Sequence, residues 1–259
     1  MAKKLKEFFD KEMLVFLSDK LSEQINDFDK KAFVRITNRL ILPLELKDRV
    51  KIVGQKLHEF IPGTYTNKTE ILTSILGPEN EGDFGTFNDF FWIWPISSVV
   101  EQFGLEQKKD SLELIYNITK RGTGEFAIRQ FIEADPKAML KVMKRWSMDK
   151  NFHVRRLSSE GWRPRLPWAK KLEVYLDNPD QVVGVLKSLN NDTSRYVQNS
   201  VANHMGDMLK LNREYTMREL NEWSKNAKDN TKWIIRHAVR NLRKKEDNEA
   251  IDLTERMKL

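Results

Sequence analysis

The sequence contains no cysteine, which excludes disulfide bonds, cysteine-ligated zinc and thiol nucleophiles. It also lacks an apolar run near the ~20 residues that a membrane-spanning helix requires, since its most apolar cluster covers only residues 90–96. Charged residues interrupt the N-terminus every few positions, so it lacks the apolar segment of a secretory signal. A chain without cysteine also fits a reducing compartment. We therefore expect a cytoplasmic protein.

Motifs of cofactor and metal enzymes are missing as well. The sequence has no P-loop, no dinucleotide-binding glycine fingerprint and no Gly-x-Ser-x-Gly nucleophile elbow. The four histidines, His58, His153, His204 and His237, do not have the spacing of a metal site. We therefore expect no cofactor and no bound metal.

Helical periodicity dominates what is present, whereas strands with two-residue alternation are not found. The segment that begins at Asp135 and Pro136 has apolar residues at spacings of three and four, and Asp followed by Pro is a good helix start. Similar patterns occupy residues 31–40, 45–60, 109–119, 180–189 and 213–224. The few glycines and prolines, 11 and 8 in number, fall mostly between helical segments. The pattern predicts an all-α protein.

The second half of the chain contains a repeat. The segment MDKNFHVRRLSSEG aligns with NDTSRYVQNSVANH and, less closely, with DNTKWIIRHAVRN, so that Val154 matches Val197 and Ile234. These spacings, 43 and 37 residues, are close to the period of HEAT-like helix pairs. Such pairs stack into a superhelix whose second helices line a concave face. We therefore predict a HEAT-like α-solenoid with a concave groove.

Lysine and arginine outnumber aspartate and glutamate by 45 to 38, a formal net charge of +7, and two segments concentrate the basic residues. Residues 153–171 hold six basic side chains and one acidic one, and residues 231–245 hold six basic side chains and no acidic one. Each segment alone could be a solvated face, but two in equivalent parts of successive repeats favour a basic groove that binds a polyanion. The candidate phosphate-binding residues are Arg155, Arg156, Arg163, Arg165, Lys170, Arg236, Arg240 and Arg243.

Three acidic residues stand out against this positive charge. Glu160 lies near the end of one second helix, its repeat equivalent is Asn203, and Asp207 lies one turn beyond. Because packed helices lie about 8–10 Å apart, Glu160 and Asp207 can point into the same groove. Glu125 follows the sequence RGTG, where we expect the preceding second helix to begin. The simpler alternatives are an acid that complements the helix dipole for Glu125, and salt bridges to arginine for the other two.

Two tryptophans, Trp162 and Trp168, flank the segment RPRLP, which its prolines hold away from helical geometry. Core or hinge packing is the simpler explanation for both rings. The alternative is that they offer a π face to a cationic ligand or stack on a base. The tryptophans predicted to be core residues are Trp92, Trp94, Trp146 and Trp233.

The blocks HVRRLSSEGWRPRLPWA and LNNDTSRYVQNSVANHMGDMLK, with LSEQINDFDKKAFV near the N-terminus, resemble the AlkC branch of the bacterial DNA alkylation repair glycosylases, relatives of AlkD. The resemblance covers most of the chain. It implies a HEAT-like enzyme that excises positively charged N-alkylated bases, with 3-methyladenine as the associated lesion. The family's active-site acids correspond to Glu125, Glu160 and Asp207.

The resemblance also implies the domain organisation. Some members carry a C-terminal immunoglobulin-like domain, and we expect none here because no run of strands is present. The prediction is one glycosylase domain over residues 1–259, with an N-terminal helical part (1–90) and repeats that carry the site (91–259).

The predicted function is base excision repair of DNA alkylation damage. The enzyme would be a cytoplasmic monomer that associates with the nucleoid and hydrolyses the N-glycosidic bond of an alkylated base in double-stranded DNA. Groove carboxylates would stabilise an oxocarbenium-like transition state. Two alternatives stay open: a non-catalytic HEAT-like module that binds nucleic acid, and a scaffold whose groove holds an acidic peptide or partner helix.

Overall fold

A computed structural model describes residues 3–83, 89–174 and 179–257. The chain forms two compact units, residues 1–130 and residues 131–259. The described residues form helices joined by turns and contain no strand, as the sequence predicts. Within the described ranges, no helix is both long enough and apolar enough to cross a membrane.

The helices of the N-terminal unit include a short 3-10 helix (Leu5–Phe8) and a second (Phe91–Ile93). The α-helices of this unit are α1 (Lys11–Ser22), α2 (Lys30–Ile41), α3 (Leu46–Phe60), α4 (Tyr65–Ser74), α5 (Trp94–Phe103) and α6 (Lys108–Thr119). Helix α7 (Arg129–Ala134) contains the division between the units. The α-helices that follow are α8 (Pro136–Trp146), α9 (Phe152–Glu160), α10 (Asp180–Leu189), α11 (Arg195–Leu209), α12 (Arg213–Ser224), α13 (Asp229–Ala238), α14 (Arg240–Arg243) and α15 (Asn248–Glu255).

In the N-terminal unit α2 packs on both α1 and α3, and α3 packs most extensively on α5. The α3–α5 crossing is close because Gly54 has no side chain: a β-carbon there would lie 2.9 Å from the Pro95 carbonyl oxygen. Arg49 on α3 is buried and donates hydrogen bonds to the carbonyl oxygens of Lys6, Phe9, Leu42 and Leu44. One guanidinium of α3 thus binds the chain just before α1 and just after α2.

The C-terminal unit repeats a pair of helices. The pairs are α8 with α9, α10 with α11, and α12 with α13, and α11 packs extensively on both α9 and α13. The three positions that the sequence aligns, Val154, Val197 and Ile234, are fully buried, one in each second helix. The predicted repeat register is therefore confirmed.

The helix ends predicted from apolar periodicity agree with the structure to within one residue. Asp135 caps α8 by accepting a hydrogen bond from the Ala138 amide, with Pro136 in the first turn. One boundary was wrong: Glu125 does not begin a helix, because α7 starts only at Arg129 and residues 125–128 form a turn.

Candidate active site

Two carboxylates of the C-terminal unit share one arginine. Glu160 is the last residue of α9, and Asp207 lies on the neighbouring helix α11. Arg163, just beyond α9, donates to Oε1 of Glu160 at 2.8 Å and, through Nε and Nη2, to Oδ2 of Asp207 at 3.0 and 2.8 Å. Glu160 and Asp207 are only 4% and 5% exposed. The repeat thus brings both acids together, with Arg163 between them.

Glu160 has two further partners that use both of its oxygens. Arg156, one turn earlier on α9, lies 3.2 Å from Oε1, and the Ser200 hydroxyl donates to Oε2 at 2.6 Å. Burial alone raises the pKa of Glu160, but the two guanidinium groups and the hydroxyl outweigh it and hold the pKa below its ordinary value. The carboxylate is therefore ionised at neutral pH. We call Arg156, Glu160, Arg163, Ser200 and Asp207 the acid–arginine cluster.

Asp207 is less fully engaged than Glu160. Both hydrogen bonds from Arg163 go to Oδ2. Among the described residues the contact to Oδ1 is an ion pair with the half-exposed Lys210 at 3.6 Å, longer than a direct hydrogen bond. Oδ1 is therefore the carboxylate oxygen of the cluster with the most capacity to accept a further hydrogen bond.

A second polar contact extends the cluster toward α13. Arg240, the first residue of α14, donates to the side-chain oxygen of Asn203 at 2.9 Å. Asn203 is the repeat equivalent of Glu160 and lies one turn before Asp207 on α11. The guanidinium is only half-buried, so a positive charge lies at the edge of the cluster.

Four of the predicted phosphate-binding arginines direct guanidinium groups into the fold. Arg155 forms a two-pronged pair with Asp192, at 2.6 and 3.0 Å, and also donates to backbone carbonyl oxygens. Arg156 and Arg163 belong to the acid–arginine cluster. Arg236 donates to the Met257 carbonyl oxygen at 3.3 Å. These contacts position helices and carboxylates, and phosphate binding by these four residues stays a prediction.

Three other predicted cations are exposed: Arg165, Lys170 and Arg243. Arg165 and Lys170 lie in the irregular segment after α9, and Arg243 ends α14. All three residues are thus at the surface of the C-terminal unit.

The two candidate tryptophans lie in different surroundings. Trp162 is 2% exposed and lines a small cavity of about 30 Å³ with Pro164, Leu172 and His204. Trp168 is 51% exposed and adopts a φ of 62°, a left-handed conformation that is rare for a bulky residue. Trp168 is therefore the one of the two that can offer a ring face to a ligand.

Glu125 belongs to the N-terminal unit and is half-buried in the turn before α7. Its Oε2 accepts a hydrogen bond of 2.9 Å from the Thr123 hydroxyl, and its backbone amide donates to the Thr123 hydroxyl oxygen at 3.2 Å. This local arrangement orients the carboxylate from within the unit.

Sequence reasoning missed two contributors to the C-terminal unit. Ser200 carries no motif, and only its position one turn before His204 on the same helix as Asp207 could have indicated it. Trp233 was predicted to be a core residue, but it is half-buried and its ring stacks with the side chains of Arg195 and His237. Its place within a basic segment was the available signal.

Stacked helix pairs and a buried acid–arginine cluster at the junction of α9 and α11 define a HEAT-like helical-repeat protein with a polar centre in its C-terminal unit. Comparison with known proteins makes the assignment specific. The solved structure of Pseudomonas fluorescens alkylpurine DNA glycosylase AlkC, bound to DNA containing an abasic site analog, matches with a TM-score of 0.88 and 33% identity over 98% of this chain and 68% of that one. The chain belongs to the AlkC family.

Other comparisons add to this result. The uncharacterized protein YhaZ of Bacillus subtilis is 35% identical over 251 residues, which is 96% of this chain and 67% of YhaZ. No family model matches the chain. The match to AlkC confirms the predicted all-helical, HEAT-like fold.

Proposed function

We propose that the protein is an AlkC-like alkylpurine DNA glycosylase that hydrolyses the N-glycosidic bond of positively charged alkylated bases, with 3-methyladenine as its main substrate. The observation that carries the proposal is the pair of buried carboxylates, Glu160 and Asp207, bridged by Arg163 in a member of the AlkC family. The AlkC structure contains DNA with an abasic site analog, the product state of such a reaction. Double-stranded DNA is the proposed partner.

Excision of a cationic base requires a fixed negative charge near the sugar and no proton donor for the base. Alkylation at N3 makes adenine cationic and weakens its bond to the sugar, so the departing base needs no added proton. The sugar develops oxocarbenium character as the bond breaks, and a fixed carboxylate stabilises that charge. The lowered pKa of Glu160, set by Arg156, Arg163 and Ser200 against the effect of burial, supports this role because it keeps the carboxylate ionised.

Within the cluster we assign different roles to the two acids. Both Glu160 oxygens are occupied by Arg163, Arg156 and Ser200, so Glu160 acts mainly by fixing Arg163 and the local charge. Asp207 retains capacity at Oδ1, which makes it our candidate for accepting a hydrogen bond from the attacking water. We assign Glu125 the role of a third acid in the reaction.

Selection of the lesion is assigned to Trp168. Its exposed ring can contact a cationic base more favourably than a neutral one, by about 0.5–2 kcal/mol for a cation–π contact. Exposed cations, Arg165, Lys170 and Arg243, are assigned to backbone phosphates, which position DNA without reading its sequence. Such binding suits an enzyme that acts in any sequence context.

The test is base release from methylated DNA by the wild-type protein, Glu160→Gln and Asp207→Asn. We expect both substitutions to lower the excision rate by at least about 100-fold, because they remove the charge that stabilises the transition state. Binding to a duplex with an abasic site should be retained. Chromatography of the released bases identifies 3-methyladenine and 7-methylguanine separately.

Asp192→Asn is the matched control, since Asp192 also pairs with an arginine of α9 but lies outside the cluster. Circular dichroism of each variant reports whether it is folded. Excision by Asp207→Asn at the wild-type rate, or an equal loss in Asp192→Asn, would remove Asp207 from the reaction. If the wild-type protein binds DNA in a salt-sensitive way but releases no base, it is a nucleic-acid-binding module. If it does neither, the scaffold alternative holds.

A further inference from the structure

The indole of Trp233 on α13 carries two stacked side chains. The guanidinium carbon of Arg195, the first residue of α11, lies 3.9 Å from the ring centroid. The His237 imidazole, one turn along α13, stacks on the indole with centroids 4.7 Å apart and an interplanar angle of 12°. Arg195 is exposed, and the other two residues are half-buried. We call these three residues the Arg195 stack.

Arg195 is held in place without using its hydrogen-bonding groups. Among the described residues it forms no ion pair and donates no side-chain hydrogen bond. By contrast, the guanidinium groups of Arg155 and Arg163 donate hydrogen bonds to Asp192 and Asp207. A guanidinium presents a planar fork of donors that matches a phosphate group, and stacking on an indole fixes that fork in advance. Less side-chain freedom is then lost when an anion binds.

The Arg195 stack is connected to the acid–arginine cluster through the fold of this unit. Arg240 donates to the His237 carbonyl oxygen at 2.5 Å and to the Asn203 side chain at 2.9 Å. Asn203 lies one turn before Asp207 on α11. The Arg195 stack, the Arg240–Asn203 hydrogen bond and Asp207 thus follow one another along α11.

The electrostatics around His237 favour an anion. Burial is the largest cause that lowers the pKa of the imidazole, and the charges of Arg240 and Arg195 lower it further. Those two arginines are the charged groups that act on the ring, one from α14 and one from α11. Among the described residues no carboxylate contributes to the shift of the His237 pKa, and no ion pair offsets the positive potential of Arg195.

We propose that the Arg195 stack is a binding site for a backbone phosphate of DNA, in which Trp233 holds the guanidinium of Arg195 toward the phosphate oxygens. This inference rests on the proposed function, because it takes double-stranded DNA as the ligand. It assigns Arg195 to positioning rather than to catalysis. The phosphate would lie on the side of Asp207 that faces Asn203 and Arg240.

The experiment compares Arg195→Ala and Arg195→Lys with the wild-type protein. Fluorescence anisotropy measures affinity for an abasic-site duplex across a salt series, and single-turnover assays measure base release. We expect Arg195→Ala to weaken binding roughly tenfold and to reduce the slope of log affinity against log salt by about 0.9. Arg195→Lys should keep the slope while losing affinity, since it retains the charge but not the planar fork. The maximal excision rate should not change.

Arg218 supplies the matched control. It also stacks on an aromatic ring of the C-terminal unit, 4.9 Å from the Tyr215 centroid on α12, and is exposed. Arg218→Ala should leave affinity and salt slope at wild-type values. Equal behaviour of Arg195→Ala and Arg218→Ala would overturn the inference.

Nuclear magnetic resonance of the His237 ring adds a measurement that a purely structural role would not affect. The pKa of His237 should rise when the abasic duplex binds, because a phosphate offsets the two arginines. No change on binding would contradict a phosphate at this position. If the wild-type protein releases no base but Arg195→Ala still alters the salt slope, the phosphate site stands and the glycosylase proposal fails.

Discussion

Glu160 is a buried carboxylate whose charge is balanced inside the fold. Its pKa is lowered because Arg156, Arg163 and Ser200 outweigh the effect of burial. A carboxyl whose folded-state pKa lies below its unfolded value of about 4.3 stabilises the protein above that value, and the stabilisation is lost as the pH falls through the folded pKa. The contribution of Glu160 should therefore be complete at neutral pH and be lost progressively as the pH falls below about 4.3.

The prediction is that Glu160→Gln lowers the free energy of unfolding by about 3 kcal/mol at pH 7, because it leaves the charges of two arginines less balanced in a buried site. The difference from wild type should shrink as the pH falls below about 4.3, the unfolded-state pKa of a glutamate. Urea unfolding followed by circular dichroism at several pH values measures it. A difference that does not depend on pH would show that the cluster is not stabilised by the charge of Glu160.

At the scale of elements, two glycines in helices differ in whether a side chain could be added. A β-carbon at Gly54 on α3 would meet the Pro95 carbonyl oxygen at 2.9 Å and the Ser98 side chain at 3.0 Å, whereas one at Gly184 on α10 would meet nothing within 4 Å. Gly184→Ala should raise the free energy of unfolding by about 0.5–1 kcal/mol, since alanine favours the helix. Gly54→Ala gains the same propensity but incurs overpacking of about 1–3 kcal/mol, so we expect a net loss near 1 kcal/mol.

Thermal and urea unfolding of the two variants measure these changes, and each variant is the control for the other. A Gly54→Ala protein as stable as Gly184→Ala would mean that α3 and α5 can separate without loss. The close crossing would then contribute little to the stability of the N-terminal unit.

The elements also show what the sequence could predict. The repeat register is a property of apolar spacing, so the sequence alone predicts that Val154, Val197 and Ile234 are buried and that Glu160 and Asp207 lie close together, as the structure shows. The partner of a long side chain is a different matter, because it depends on which groups other helices bring within reach.

Arginine and tryptophan show that limit most clearly. Arg155 lies in the same basic segment as Arg165, yet Arg155 pairs with Asp192, 37 residues away, and Arg165 is exposed. Trp162 and Trp168 flank the same prolines, but the direction of the chain sends one ring into the core and the other to the surface. Arg155 and Arg165 are the same residue type in the same segment, as are Trp162 and Trp168. Only the tertiary structure therefore determines which side chain of each pair is exposed.

At the scale of the whole molecule, the net charge is only +7 because 38 acidic residues offset most of the 45 basic ones. Affinity for DNA should then depend on a few exposed cations and not on total charge. Each phosphate contact neutralised by a protein cation releases counterions, so the salt dependence of binding counts the contacts. Arg165, Lys170 and Arg243 are the exposed candidates in the C-terminal unit.

We predict that Arg165→Gln, Lys170→Gln and Arg243→Gln each reduce the slope of log affinity against log salt by about 0.9, and that the triple variant loses nearly three times as much. Lys141→Gln is the control, since Lys141 is also exposed but lies on α8, the first helix of its pair. Its slope should equal that of the wild type, because first helices lie on the side of a solenoid away from the ligand. A uniform reduction in all four variants would mean that DNA responds to the overall charge of the protein. A loss confined to the three candidates would mean that the phosphates contact the segment after α9 and the end of α14.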